Sequence, residues 1–174
     1  NQVLRRLVSV GDHVFVTLGL FAPVSMLDAA TGEVLKTFEG TENAFEIPAE
    51  KDRLYLAVNS GLKSKTPDPD ISIMAVDTGT GKILWNAEGY KGLWPTEKLD
   101  PQYVDAYLTL GKEGLFFADK QEVVALDLDT GSKKWSVQRG DDAGSSKPDK
   151  KSKPAKSKPC VLTYHDTILF YSHS

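Results

Sequence analysis

Short runs of β-branched and aromatic residues recur along the chain, each following an acidic turn. These runs lie at residues 13–18, 53–58, 114–118 and 167–172. Further strand candidates precede them, at residues 4–10, 43–47, 103–110 and 160–164. Runs of this composition bounded by Gly and Asp are typical of β-strands. No segment has a convincing helical periodicity, so the pattern predicts an all-β chain.

Three segments resemble one another and recur at a nearly constant spacing. They cover residues 26–36, 75–85 and 125–135. Their shared glycines, Gly32, Gly81 and Gly131, are 49 and 50 residues apart. A period of this length, filled with short strands, is typical of propeller blades and exceeds that of helical or leucine-rich repeats. With four antiparallel strands in each unit, the sequence predicts three complete blades and half of a fourth.

Each repeated segment contains an Asp and a Gly whose chemistry suits a tight turn. In the second copy, the short Asp77 side chain can accept hydrogen bonds from backbone N–H groups two residues on, and Gly81 supplies the positive φ of a hairpin. The next strand carries Trp85, and the small Ala75 in the preceding strand leaves room for it. A large flat indole can fill the wedge between adjacent twisted sheets. We therefore expect this Trp to be a spacer between blades.

The pattern Ala-x-Asp-x-x-Thr-Gly-x-x-x-Trp resembles the tryptophan-docking motif of the PQQ-like (pyrroloquinoline-quinone-like) β-propeller repeat family. The motif is complete in the second and third copies. Its structural docking residues there are Ala75, Asp77, Gly81, Trp85, Ala125, Asp127, Gly131 and Trp135. The first copy has Met26 in place of Ala and Lys36 in place of Trp. These departures weigh against a fully formed docking contact between the first and second blades.

The resemblance implies a ring of about seven or eight blades. Three and a half blades cannot close a ring, and unclosed sheets expose apolar faces and strand edges. We expect residues 1–174 to form a single partial propeller domain. Its blades lie at about 3–40, 41–89 and 101–140, and a fourth begins at 160–174. The ring is completed by the remaining blades of a longer parent chain, which is the interpretation we favour, or by a second copy.

Composition and charge exclude several classes of protein. The chain has 174 residues, with 21 Lys+Arg against 24 Asp+Glu and a formal net charge of −3. A dedicated nucleic-acid binder normally has a much larger basic excess, so we expect no nucleic-acid partner. No stretch approaches the roughly 20 apolar residues of a membrane helix, so we expect no membrane span. The single cysteine, Cys160, excludes an intrachain disulfide and a multi-thiolate metal site.

Two connections are longer than a blade requires. Residues 59–70 contain Pro-Asp pairs and small residues, which predicts an exposed, turn-rich excursion. Residues 141–159 contain six Lys, three Asp and no large apolar residue. Such a segment cannot bury enough surface to become ordered, so we expect a mobile, solvated linker. The alternative is a basic loop that holds an anionic partner.

The candidate chemistry is sparse. Asp28, Asp77 and Asp127 recur in every copy, so we interpret them as structural rather than catalytic. Asp129 lies two residues beyond Asp127, but a lone Asp-x-Asp is a poor calcium signal. The histidines are placed where no catalytic arrangement can be justified, and Cys160 is interpreted as a small buried residue. We expect no catalytic, cofactor-binding or metal-binding residues in this chain.

One aromatic residue lies off the docking register. Trp94 falls between the second and third units, within the segment Tyr-Lys-Gly-Leu-Trp-Pro. An exposed Trp at this position is a possible partner contact. The alternative, which we favour, is that Trp94 caps a blade core.

The resemblance implies a non-catalytic binding or scaffolding propeller that presents loops to a protein or other macromolecular partner. The family includes a propeller lipoprotein of the bacterial outer-membrane barrel-assembly machine, so an extracytoplasmic address (periplasm or cell envelope) is implied by resemblance only. One alternative is part of a PQQ-dependent quinoprotein dehydrogenase whose cofactor ligands lie in blades outside this chain. That interpretation alone requires PQQ, and the chain lacks the Cys-Cys pair often found against that cofactor. Another is an accessory recognition module of a multidomain enzyme.

Overall fold

The computed structural model describes residues 6–61, 70–92, 106–139, 160–165 and 168–173. Within these ranges the chain forms antiparallel β-sheets and no helix. Three sheets each have four principal strands, and a two-stranded hairpin follows them. The prediction of an all-β chain, with three four-stranded units and half of a fourth, is confirmed.

The strands are numbered in chain order. The first blade consists of β1 (Leu7–Val10), β2 (His13–Thr17), β3 (Val24–Asp28) and β4 (Val34–Phe38). The second blade consists of β5 (Ala44–Glu46), β6 (Ala49–Glu50), β7 (Arg53–Asn59), β8 (Asp70–Asp77) and β9 (Ile83–Lys91). The third blade consists of β10 (Thr109–Gly111), β11 (Gly114–Ala118), β12 (Glu122–Leu126) and β13 (Lys133–Gln138). The hairpin consists of β14 (Cys160–His165) and β15 (Ile168–His173).

Consecutive strands pair in the first and third blades, and in the second blade β5 and β6 both pair with β7. The connections therefore alternate between the two edges of a blade at which its strands begin and end. We call one edge the docking edge; in the first blade it carries residues 11–12, after β1, and residues 29–33, after β3. The opposite edge, called the loop edge, carries residues 18–23, after β2. The first strands lie side by side where the first blade meets the second, β1 beside β6, and where the third blade meets the hairpin, β10 beside β14. The blades are therefore arranged around a common inner side.

The first strand of the second blade differs from the expectation. A single strand is predicted at 43–47, whereas the structure has the two short strands β5 and β6, both paired with β7. Pro48 lies between them, and proline has no N–H to donate to a ladder. Its carbonyl still accepts a hydrogen bond from the Tyr55 N–H at 2.9 Å. The interruption therefore leaves the strand attached to β7.

The second blade is buried on both faces. On β7, Leu54 and Leu56 belong to an apolar cluster shared with the first blade, while Tyr55 and Ala57 belong to one shared with the third blade. Alternate residues of a strand point to opposite faces, so a strand between two blades must be apolar at successive positions. This arrangement explains why β7 and β8 are almost continuously buried. The apolar core therefore lies between blades rather than within one sheet.

Candidate functional site

The turns between β3 and β4, β8 and β9, and β12 and β13 share one hydrogen-bonding pattern. In the second blade, Asp77 Oδ1 accepts hydrogen bonds from the Thr80 N–H at 2.6 Å and the Thr80 hydroxyl at 2.7 Å. The Gly81 N–H closes the turn by donating to the Asp77 carbonyl at 2.8 Å, with φ of +77° at Gly81. The Thr80 hydroxyl hydrogen bond is the main cause that lowers the pKa of Asp77 below its ordinary value. The Asp77 carboxylate therefore accepts its hydrogen bonds from within its own turn.

The first and third turns repeat this geometry. Asp28 Oδ1 accepts from the Thr31 N–H at 2.7 Å and its hydroxyl at 2.9 Å, and Asp127 Oδ1 accepts from the Thr130 N–H at 2.9 Å and its hydroxyl at 3.0 Å. These hydrogen bonds to Thr lower the pKa of Asp28 and of Asp127. All three repeated carboxylates therefore have a structural partner in the turn itself.

The indole of Trp85 connects the second blade to the third. Its Nε1–H donates to the carbonyl of Leu128, within the third docking turn, at 3.0 Å. Its ring covers Gly131, where an added Cβ would lie 2.5 Å from the Trp85 Cε3 atom. Trp85 pairs with Ala75 across the sheet and is 9% exposed. The small Ala and the Gly together leave the space that the indole occupies.

Arg53 adds a second contact at the same place. Its Nη1 lies 3.1 Å from the Leu128 carbonyl oxygen and 2.6 Å from Asp129 Oδ1. The hydrogen bond with Asp129 is the main cause that raises the pKa of Arg53. Asp129, which the sequence raised as a weak calcium candidate, therefore pairs with a guanidinium across the junction of the second and third blades.

At the junction of the first and second blades, Lys36 stands where the motif has Trp. It pairs with Met26 across the sheet, as Trp85 pairs with Ala75. Its Nζ donates to the carbonyl of Thr78 at 2.9 Å and also to the carbonyl of Gly79. Thr78 follows Asp77 as Leu128 follows Asp127, so both junctions use the equivalent carbonyl as acceptor. Met26 and Lys36 depart from the motif and weighed against a docking contact at this junction. The contact is nevertheless present, with the Lys36 ammonium in place of an indole N–H as the donor.

Trp135, in the third copy, has a different environment from Trp85. It pairs with Ala125 and lies 5.8 Å from the ring of Phe116, centroid to centroid. It is 41% exposed, and Val137 on the same strand is also exposed. The hairpin β14–β15 lies beside β10 and β11, the two strands of this sheet that are farthest from β13. The same motif therefore gives a buried indole at one blade and an exposed one at the next.

The loop edge of the first blade has an apolar character that the sequence reasoning missed. Leu18, Leu20 and Phe21, in the connection between β2 and β3, are 58%, 47% and 52% exposed. The equivalent connection of the third blade is short and polar, and Asp119 Oδ1 there accepts hydrogen bonds from the N–H groups of Gln121 and Glu122. A sequence signal existed, because Leu20 and Phe21 stand in a Gly- and Pro-containing turn directly after the predicted strand at residues 13–18, which ends on Leu18.

Several predicted features fall outside the described residues. Trp94, the possible partner contact, is one of them, as are residues 62–69 of the first long connection and the Lys-rich segment 141–159. Among the described histidines, His13 begins β2 opposite Asp28. Across the parts of the chain that are described, no group of three His, Cys, Asp or Glu side chains could hold a metal ion. No long apolar helix capable of crossing a membrane occurs in those parts either.

Comparisons with known proteins agree with this architecture. A family model described as outer membrane protein assembly factor BamB, a protein of the PQQ-like repeat type, matches residues 3–167. The crystal structure of BamB from Moraxella catarrhalis is similar, with a TM-score of 0.52 and 13% sequence identity. The likeness covers 80% of this chain and 37% of that chain, so this chain spans well under half of the BamB structure. A comparison with curated proteins found no match. The three blades are therefore part of a β-propeller, and the chain belongs to the PQQ-like repeat family that the matching model describes.

Proposed function

We propose that this chain is part of a non-catalytic binding or scaffolding propeller that presents its loop edge to a protein partner. The family model that matches it is named for an assembly factor, which supports a role in binding rather than in chemistry. The repeated Asp carboxylates are occupied within their turns, and Asp129 is paired with Arg53. The residues that recur in the motif therefore serve the scaffold, and binding falls to the loops.

The observation that carries the proposal is the apolar loop at residues 18–23. Leu18, Leu20 and Phe21 lie at the loop edge, where the docking contacts between blades do not reach. A blade needs no such residues there, because the third blade makes the same connection with a polar turn at Asp119. Clusters of large exposed apolar side chains mark interaction sites on soluble proteins. Leu and Phe side chains suit an apolar patch on a protein partner.

The docking residues Gly32 of the first blade and Trp135 of the third support completion of the ring by further blades. Among the described residues, nothing lies within 4 Å of a Cβ built at Gly32, whereas Gly131 is covered by Trp85. The first docking turn can therefore receive a side chain from a preceding blade. At the other end, the exposed Trp135 needs the docking turn of a following blade. We favour the remaining blades of a parent chain as the source of both.

We further propose an extracytoplasmic address and function without PQQ. The name of the matching family places that assembly factor at the outer membrane, which supports the address for this chain. Soaking the full-length protein with PQQ and Ca²⁺ tests the second part. We expect neither quinone absorbance nor dye-linked alcohol oxidation. Turnover would instead identify a quinoprotein dehydrogenase.

Site-specific photo-crosslinking in cells tests the loop edge directly. We expect a crosslinking residue at Leu20 or Phe21 of the full-length protein to give a discrete adduct with an envelope protein. The matched control is Lys82, which is exposed at the docking edge of the second blade. Adducts at Leu20 and none at Lys82 support the proposal. No adduct at either loop position, or equal adducts at all three positions, contradicts it.

A further inference from the structure

The two junctions between blades use equivalent positions but different chemistry. Lys36 and Trp85 occupy the same place in the repeat, and both donate to the carbonyl of the residue after the turn Asp. The distances are nearly equal, 2.9 Å for Lys36 to Thr78 and 3.0 Å for Trp85 to Leu128. Both junctions therefore have a hydrogen-bond donor at the same position, but only Trp85 surrounds its donor with a large apolar ring.

The turn glycines show how much contact each donor makes. A Cβ built at Gly81 would lie 3.8 Å from Lys36 Cδ and 3.9 Å from Phe38 Cδ1, which is ordinary contact. A Cβ built at Gly131 would lie 2.5 Å from the Trp85 ring. The indole thus lies directly on its turn, whereas the lysine stem leaves room above Gly81. At this position the first junction therefore has less dispersion attraction and less buried apolar surface than the second junction.

The remaining contacts also favour the second junction. The ion pair of Arg53 with Asp129 crosses it, and the corresponding position to Asp129 in the second blade is Gly79, which has no carboxylate. The hydrogen bond of Lys36 to Gly79 is exposed to solvent, where water competes for both partners. Each junction also encloses a buried apolar cluster, and the cluster between the second and third blades contains more buried residues than the one between the first and second.

We propose that Lys36 is a polar latch, and that the first blade opens away from the second more readily than the third blade does. Local opening of a protein proceeds in cooperative units, and the least buried unit opens at the lowest free energy. Because this polar contact is weaker than the Trp85 contact, the first blade, which carries the apolar loop at residues 18–23, moves more freely than the other two. The inference goes beyond the proposed function and does not depend on any partner.

Hydrogen exchange of the full chain at low denaturant concentrations tests the order of opening. We expect amides of β2 and β3 to exchange through an opening that amides of β11 and β12 do not share. In the variant Lys36→Met, which keeps an apolar stem and removes the donor, amides of the first blade exchange about ten-fold faster. Those of the third blade keep their rates.

The third blade offers a matched control. Lys134 Nζ also donates to a backbone carbonyl, that of Glu113 at 2.7 Å, but within its own blade. Lys134→Met therefore leaves exchange of the first blade unchanged if the effect of Lys36 arises at the junction. Equal acceleration in all three blades by Lys36→Met, or no change in the first, overturns the proposal. If Lys36→Met does not fold, the wild-type measurement decides, because a single shared opening for all blades contradicts a latch.

Discussion

The indole ring of Trp85 lies on Gly131 so closely that a methyl group at that glycine would stand 2.5 Å from the ring. The two residues belong to different blades and are joined by no covalent constraint other than the chain between them. Gly131 is needed twice, for its φ of +70° in the turn and for its missing side chain beneath the indole. The motif therefore places two halves of one contact in successive copies of the repeat.

A comparison of Gly131→Ala with Gly32→Ala separates the requirement for a positive φ from the requirement for a missing side chain. Gly32 has a similar φ of +75°, but among the described residues nothing lies within 4 Å of a Cβ added there, so Gly32→Ala incurs the backbone cost alone. We expect Gly32→Ala to lower the free energy of unfolding by about 1–2 kcal/mol. We expect Gly131→Ala to lower the free energy of unfolding by more than this, because its added methyl group also displaces the Trp85 indole. Urea unfolding of both variants checks the difference, and equal losses would show that the indole is free to move aside.

Truncation of the two tryptophans is expected to have unequal effects. Trp85→Ala leaves a cavity between the second and third blades and costs about 3–5 kcal/mol of the free energy of unfolding. Trp135 is 41% exposed in this chain, so Trp135→Ala costs about 1 kcal/mol. Chemical denaturation of the same chain measures both. A near-neutral Trp85→Ala would mean that the indole does not hold the blades together.

The docking turns make stability depend on acid. The pKa values of Asp28, Asp77 and Asp127 are lower in the folded chain than in the unfolded one, because the ionised carboxylates accept hydrogen bonds. Their contribution is complete above the unfolded value of about 3.9 and is lost as the pH falls through the lowered folded values. The midpoint of thermal unfolding therefore falls as the pH drops below about 4.

The variant Asp127→Asn keeps an acceptor oxygen and removes the titration. We expect its thermal midpoint to fall less steeply than that of the wild type over the same acidic range. Glu33→Gln removes an exposed carboxylate next to the first turn and serves as the control, with the wild-type slope expected. Parallel curves for Asp127→Asn and the wild type would contradict a role for this turn in acid unfolding.

The pair of Arg53 and Asp129 is expected to contribute little energy by itself. Both side chains are accessible to solvent, Asp129 largely so, and exposed ion pairs are worth about 0.2–1 kcal/mol. A double-mutant cycle with Arg53→Met and Asp129→Asn measures the coupling. We expect a value in this range that decreases with added salt. A coupling several times larger would show that this pair, and not the indole, dominates the second junction.

The strands and the docking turns follow from the sequence because their causes are local. Asp77, Thr80 and Gly81 lie within five residues, and their hydrogen bonds close inside the turn. Short runs of β-branched and aromatic residues, repeated with a nearly constant period, were enough to predict the blades. The split of one strand at Pro48 was missed, although proline alone gives its reason.

The contacts between blades were less accessible to sequence reasoning. Lys36 departs from the motif, and only its distance to the Thr78 carbonyl shows that it replaces the indole as a donor. Arg53 lies 75 residues from Leu128, and no local pattern connects them. The exposed Leu18, Leu20 and Phe21 could have been noticed, but their exposure depends on what packs beside the loop edge.

By itself, the sequence determined the repeat, its strands and the Asp-Thr-Gly turns, since these depend on backbone preferences and hydrogen bonds between near neighbours. The tertiary structure alone decided that Trp85 is buried while Trp135, in an identical motif, is exposed. Burial depends on whether another blade faces the side chain, and that neighbour is supplied by the rest of the assembly rather than by the motif.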